Sequence, residues 1–303
     1  MAIKERTIEI KDSLIDRTAA APAVAAFSRL LENRQAQAGL ILVGLFIALA
    51  LLAGWIAPYD PLVQFKEGLD EFGMPRGPNR QFWLGTDSLG RDLLSRIIYG
   101  ARTSLMISVS ATAVAALVGL TIGLLSGYFG GWVDSLFMRL TDIFLSFPVL
   151  LLAMALVAIF RPSIWTVIFV LGFVFWTYVA RLVRGQALTV MKRDYITAAY
   201  SLGLGHWRII TRHLLPNVIS SVIIWTALSM ATTILVQAAL GYLGIGVRPP
   251  TPDWGEMISN GQEYFRYAPG LTIFPGLAIA LTVLGFNLLG DALRDVLDPN
   301  RDA

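Results

Sequence analysis

The chain has 303 residues, of which 55% are hydrophobic and 15% charged, with a net charge of +3. That balance is too apolar for an ordinary soluble domain and points to a membrane protein. With 0 cysteines there is no disulfide framework, no cysteine zinc site and no thiol nucleophile, and no basic patch with interleaved aromatics suggests nucleic acid.

Residues 1–34 are mixed in charge and irregular, and read as a cytosolic tail with a short helix on the membrane near Phe27 to Leu31. A secretory signal is the rival reading. It is disfavoured because the following apolar run is of full spanning length and lacks a clear cleavage site. That run, 35–59, carries no charge. At roughly 1.5 Å per residue it exceeds the roughly 30 Å hydrocarbon core. Trp55 and Tyr59 suit its interfacial end. A polar extracytoplasmic loop, 60–102, follows, with Pro, Gly and balanced charge. In it LGTDSLGRD reads as a turn in which Asp87 or Ser88 caps a short helix at Leu89. Residues 103–290 then hold five further spans, near 104–127, 134–160, 163–183, 218–243 and 269–289. The expected fold is an all-α integral membrane protein with six transmembrane helices.

The third span contains Arg139 and Asp142, spaced to pair on one helical face. A surface pair facing protein and a proton-relay pair are both open readings. Pro148 is expected to kink this helix. Gln237 and Asn287 are polar candidates for a translocation path, with helix-packing hydrogen bonds as the alternative. Between the fourth and fifth spans lies a polar, basic island, 184–217. Arg181, Arg184, Lys192, Arg193, Arg208 and Arg212 cluster there against Asp194. By the positive-inside rule the island is cytosolic, as are both termini. Arg91, Arg96 and Arg102 in the long outer loop weigh the other way, but long loops translocate with less regard to charge.

The island reads as a helical hairpin. Tyr195, Ala198, Ala199 and Leu202 fall on one mostly small face of its first helix. Gly203 and Gly205 break that helix. A second helix begins near His206, with Trp207, Ile210 and Leu214 as its apolar stripe and Arg208 and Arg212 opposite. Pro216 marks the entry to the fifth span. The hairpin either packs on its own membrane domain or docks its first helix into another protein. His206 and His213, the two histidines of the chain, are seven apart and read as interfacial ring donors, with a metal pair as the rarer alternative. Downstream, VRPPTPDWGEM reads as a stiff Pro-rich turn with Trp254 as an interfacial anchor. The exit GDALRDVLDP is amphipathic through Leu293, Val296 and Leu297 and leads into a cytosolic tail, 291–303.

No GxxxxGK[ST], HExxH or GxSxG occurs, so neither an ATP-binding loop nor a hydrolase centre is expected on this chain.

Ala198, Ala199, Gly203, Leu215 and Pro216 fall in register with the cytoplasmic "EAA" loop of ABC importer permeases. Thr197 replaces the usual Glu and His213 an apolar residue. Together with the stretches 83–105, 127–148, 243–257 and 274–299, the chain resembles the C-type permease subunit of dipeptide/oligopeptide importers. The resemblance implies a type I ABC importer permease fold in a bacterial inner membrane. It implies a coupling loop at 184–217 that seats Tyr195, Ala198, Ala199, Leu202, Gly203 and Pro216 against a cytosolic ATPase. It also implies a second homologous permease subunit, one or two ABC ATPases that bind ATP and Mg, and an outer substrate-binding protein docking near Asp87, Arg91 and Asp92. No cofactor or metal is expected on this chain. Relatives of this kind serve dipeptides, oligopeptides, glutathione, nickel chelates and opines. An ion-coupled secondary transporter is the alternative, and would show charges in several spans and internal repeats.

Overall fold

A computed structural model of the chain describes residues 33–297. The expected N-terminal surface helix and the tail beyond residue 297 lie outside the described residues. Among those residues the structure is all helix, with two isolated bridges, Leu69 to Pro75 and Thr86 to Asp92, in place of any sheet.

The first span is α1, Arg34–Leu51, started by Asn33, whose side chain accepts from the Gln35 N–H at 2.8 Å. It breaks at Leu52 and resumes as a single turn, α2, Ala53–Ile56, where Trp55 is fully open to the surroundings. The loop 60–92 is ordered rather than merely polar. Tyr59, Phe65 and Phe82 pack ring against ring at 5.0–5.7 Å, and Thr86 donates to the Gly68 carbonyl while accepting from the Arg76 N–H. The second span, α3, Leu93–Phe129, starts well before the apolar run that marks it in the sequence.

The third span is corrected. It is not one kinked helix but two, α4, Gly131–Leu145, and α5, Val149–Phe160, bent by 92°. Pro148 lacks the N–H to continue α4 and forces Phe147 out of helical geometry, so it sits ahead of α5 with ψ 129 instead of within a bent helix. At about 18 Å, α5 is too short to cross alone. Counting the broken pair once gives six spans, and leaving it out gives five. The Arg139–Asp142 pair does not form either. Asp142 bonds to Arg181 and Asp134 to Arg184, both on α6, Ile164–Met191. The carboxylates of α4 are thus matched across helices, not along one.

The most extensive helix pair is α3 with α6. Ala111, Ala115, Gly119, Gly123 and Gly127 recur every four residues of α3, all buried. A Cβ on Gly123 would lie 2.7 Å from the Ala180 carbonyl oxygen, so only glycine permits this approach. The hairpin helices are α7, Asp194–Ser201, and α8, His206–Ile209. From His206 the chain runs through a π-helical turn, Ile210–Leu214, into α9, Leu215–Tyr242, as one 37-residue helix. Pro216 is the second residue of α9, at the entry to the fifth span, and helical geometry runs through it unbroken from His206. Its missing N–H removes an ordinary hydrogen bond, and the wider turn before it takes up the mismatch, with Leu215 N–H reaching the Ile210 carbonyl.

Next, α10, Trp254–Gly261, is a short helix capped by Asp253, whose carboxylate accepts from the Glu256 N–H at 3.0 Å. The last span is α11, Gly270–Leu297. It packs on α1 and α9 through Gly285 and Gly290, and its exit turn packs through Ala292, Leu293 and Val296 beside Ala36.

Candidate functional site

Two polar regions and one cleft mark the two ends of the helix bundle. At the hairpin end, α7 stops at Leu202, and Gly203 turns the chain at φ 73. The Gly203 and Leu204 N–H groups cap the Tyr200 and Ala199 carbonyls at 2.9 and 3.1 Å. The hairpin is clamped to its own bundle. Ile196, Ile209, Ile210 and Leu214 are buried in one cluster with Leu124 of α3 and Val183 and Ala187 of α6. This divides the expected face of α7. Ala199 is 5% exposed and faces inward beside Ile196, whereas Tyr195, Ala198 and Leu202 face outward, Leu202 at 80%. Trp207 is likewise corrected: it is 69% exposed, and Ile209 takes its place in the inner stripe. Arg208 and Arg212 are exposed as expected.

The two histidines have separate surroundings. His206 Nδ1 lies 2.7 Å from the Tyr128 hydroxyl at the end of α3, and His213 packs its ring on Tyr195 at 6.1 Å. Among the described residues no three His, Cys, Asp or Glu side chains converge as a metal would require.

Beside the hairpin a cleft of about 920 Å³ opens between α6 and α9, with Arg294 of α11 also on its lining. Gln186 of α6 donates to Ser221 of α9 across it.

At the opposite end lies a buried ionic cluster. Asp87 accepts from the Leu89 and Arg91 N–H groups at 2.9 and 3.0 Å and pairs with the Arg91 guanidinium at 2.7 Å. It caps this turn and not a helix at Leu89. The helix cap is Asp92, which accepts from both the N–H and the hydroxyl of Ser95 and starts α3. Arg96, one turn into α3, spans 3.2 Å to Asp87 and 3.3 Å to Glu256 of α10, although its Nε is not aligned to donate. The cluster so ties the outer loop, α3 and α10 together.

Trp254 is corrected from interfacial anchor to core residue. It is 3% exposed, donates to the Ile97 carbonyl at 2.9 Å, and fills the space that Gly100 leaves open. Next to it Gln237 of α9, 2% exposed, donates to Asp253 at 2.9 Å and lies 3.4 Å from Ser104. Burial pushes the Asp253 carboxyl above the usual carboxylate range. Gln237 is thus buried and bonded between elements, whereas Asn287 is exposed on α11. From the sequence Arg96 counts only as a topology charge, and Glu256 and Asp253 carry no assigned role. The capping pattern of Asp253 with Glu256 three residues on was the available signal; the Arg96 contact, across 160 positions, had none.

These features define a multi-span α-helical membrane protein with a helical hairpin clamped at one end and a polar-sealed loop at the other. Residues 119–302 match the family described as the binding-protein-dependent transport system inner membrane component. Residues 22–71 match the N-terminal TM domain of oligopeptide transport permease C. The chain is 41% identical over 284 residues to the dipeptide transport system permease protein of Alkalihalophilus pseudofirmus, covering 93% of this chain and 91% of that protein. It is 42% identical over 271 residues to the glutathione transport system permease protein of Pectobacterium atrosepticum, 89% of each chain. It is 43% identical over 269 residues to the di/tripeptide transport system permease protein of Pseudomonas aeruginosa, covering 88% of this chain and 89% of that one. The chain belongs to the binding-protein-dependent transport system inner membrane component family. It is an ABC importer permease of the dipeptide/oligopeptide type, and the secondary-transporter alternative is not favoured.

Proposed function

We propose that this permease passes di- or oligopeptides inward as one half of a heterodimer with a second, homologous permease. One or two cytosolic ABC ATPases supply the energy, binding ATP and Mg themselves, and this chain carries out no hydrolysis. An outer binding protein delivers the solute at the loop 60–92. Asp87, Arg91 and Asp92, buried in that loop, hold its shape, and the exposed Phe72, Trp83 and Leu89 offer the contact surface. Asn287, exposed on α11, stays the path candidate.

The observation that carries the coupling role is the outward face of α7. Tyr195, Ala198 and Leu202 are left open on a hairpin whose other face is packed on the chain's own helices. The ATPase receives that face. Gly203 and Pro216 shape the hairpin, and buried Ala199 lies on its inner face. Both termini are then cytosolic.

The test compares neighbouring residues. The importer is reconstituted in vesicles with its binding protein, and ATP hydrolysis and peptide uptake are both followed. Ala198→Glu should leave the purified permease as heat-stable as wild type yet abolish uptake and release the ATPase on purification. Ala199→Glu should instead lower thermal stability, because it buries a charge. Uptake at wild-type rate with Ala198→Glu would sink the docking assignment.

A further inference from the structure

The cleft between α6 and α9 is unbalanced in charge. Among the described residues its ionisable lining side chains are Arg181, Arg193 and Arg294, with no carboxylate. Arg181 is matched by Asp142. Arg193 and Arg294 form no ion pair with any described residue. They reach the cleft from separate parts of the chain, the link between α6 and α7 and the end of α11. Arginines placed only to satisfy membrane topology have no reason to converge on one hollow. Two exposed guanidiniums with no carboxylate partner among the described residues, at the edge of a partly apolar cleft, favour anions over cations there, and the planar donor fork of each fits a carboxylate. Ser220 adds a neutral hydroxyl, and Trp225 an apolar wall. The volume, about 920 Å³, lies within the roughly 300–1,000 Å³ of sites that take small organic ligands.

We propose that this cleft receives an oxyanion: Arg193 and Arg294 hold the free carboxylate of the imported solute, while Trp225 faces its apolar part. The inference rests on the peptide-importer reading above and names the chemical group that the permease itself handles.

Because the chain has 0 cysteines, Ser220→Cys places a lone thiol of this subunit in the cleft. The whole importer carrying it is reconstituted in phosphatidylcholine vesicles. Labelling of this subunit is timed with an anionic and a cationic methanethiosulfonate reagent. The anionic reagent should be favoured by about tenfold over its ratio at a free thiol. Arg193→Gln with Arg294→Gln should bring the ratio back to that of the free thiol, and Arg→Lys at both positions should retain most of it. Millimolar alanyl-alanine should slow labelling, and alanyl-alaninamide should not. Equal rates for the two reagents, or a preference untouched by the Arg→Gln pair, overturn the proposal. So does protection by both peptides or by neither. A preference that disappears when phosphatidylglycerol is added assigns the arginines to a lipid phosphate and overturns it as well. Labelling needs no import. Absence of ATP-driven peptide uptake by the unmodified importer would strike the peptide-substrate reading, and the labelling ratios would still decide the cleft.

Discussion

Arg96 shows how much a single side chain can hold together. It is buried between Asp87 and Glu256 and bridges parts of the chain that meet only in the fold. Asp87 keeps Arg91 if Arg96 is lost, whereas Glu256 is left with Asn260 alone as a side-chain partner. Arg96→Met should therefore cost on the order of 3 kcal/mol, chiefly through the stranded Glu256. Arg96→Met with Glu256→Gln should recover part of it, read as the thermal midpoint of the detergent-solubilised protein. Asp253 makes a prediction of the opposite kind. Burial raises its carboxyl above the ordinary value, so the folded chain keeps a proton that the unfolded chain has already released. Its contribution is full below the ordinary carboxylate value and is lost as pH rises through the raised one. Asp253→Asn should remove that decline. The Gln237 carbonyl oxygen, buried without a partner, can then turn to accept from the new amide. Unfolding midpoints taken across acidic to neutral pH should slope downward for wild type and stay flatter for the variant.

At the scale of elements, close approach between helices is set by residues without side chains. Gly123→Ile should force α3 from α6 and cost on the order of 2 kcal/mol, because the space is filled by Val183 and the Ala180 carbonyl. Gly44 of α1 meets nothing within 4 Å, so Gly44→Ala should raise stability by roughly 0.5–1 kcal/mol. Melting curves of the two purified variants separate packing from propensity. This is also where the sequence could and could not be read. The apolar runs are long enough that each span announces itself, and Gly203 marks the hairpin turn directly. The four-residue repeat from Ala111 to Gly127 was equally available and carries the largest helix pair. The division of α7 into an inner and an outer face was not available, because Ala198 and Ala199 are chemically identical and only the placement of α3 and α6 separates them. Trp254 misled for a similar reason: an indole after a Pro-rich turn suits an interface, and only Gly100, far away in sequence, shows the slot it fills. Pro148 announced a disturbance but not its size: a proline marks where a helix is interrupted, and the 92° between α4 and α5 is set by how each packs in the fold.

For the molecule as a whole, the ionic cluster and the hairpin must lie on opposite sides of the bilayer if both are to meet their partners. Glu71→Cys, on the outer loop, should react with a membrane-impermeant maleimide in intact cells. Arg208→Cys, on the exposed second helix of the hairpin, should react only after permeabilisation. Labelling of both from outside would reverse the orientation. The uninterrupted helix from His206 to Tyr242 has a mechanical consequence. It is a rod of about 55 Å, seated at one end among the hairpin residues and bonded near the other, through Gln237, to the cap of α10. A rod of that length acts as a lever. A tilt of about 10° pivoting at the hairpin carries the far end by roughly 9–10 Å, and the π-helical turn at Ile210–Leu214 is the irregular joint nearest the pivot. A small push on one membrane face thus arrives at the other magnified and through a single piece of chain.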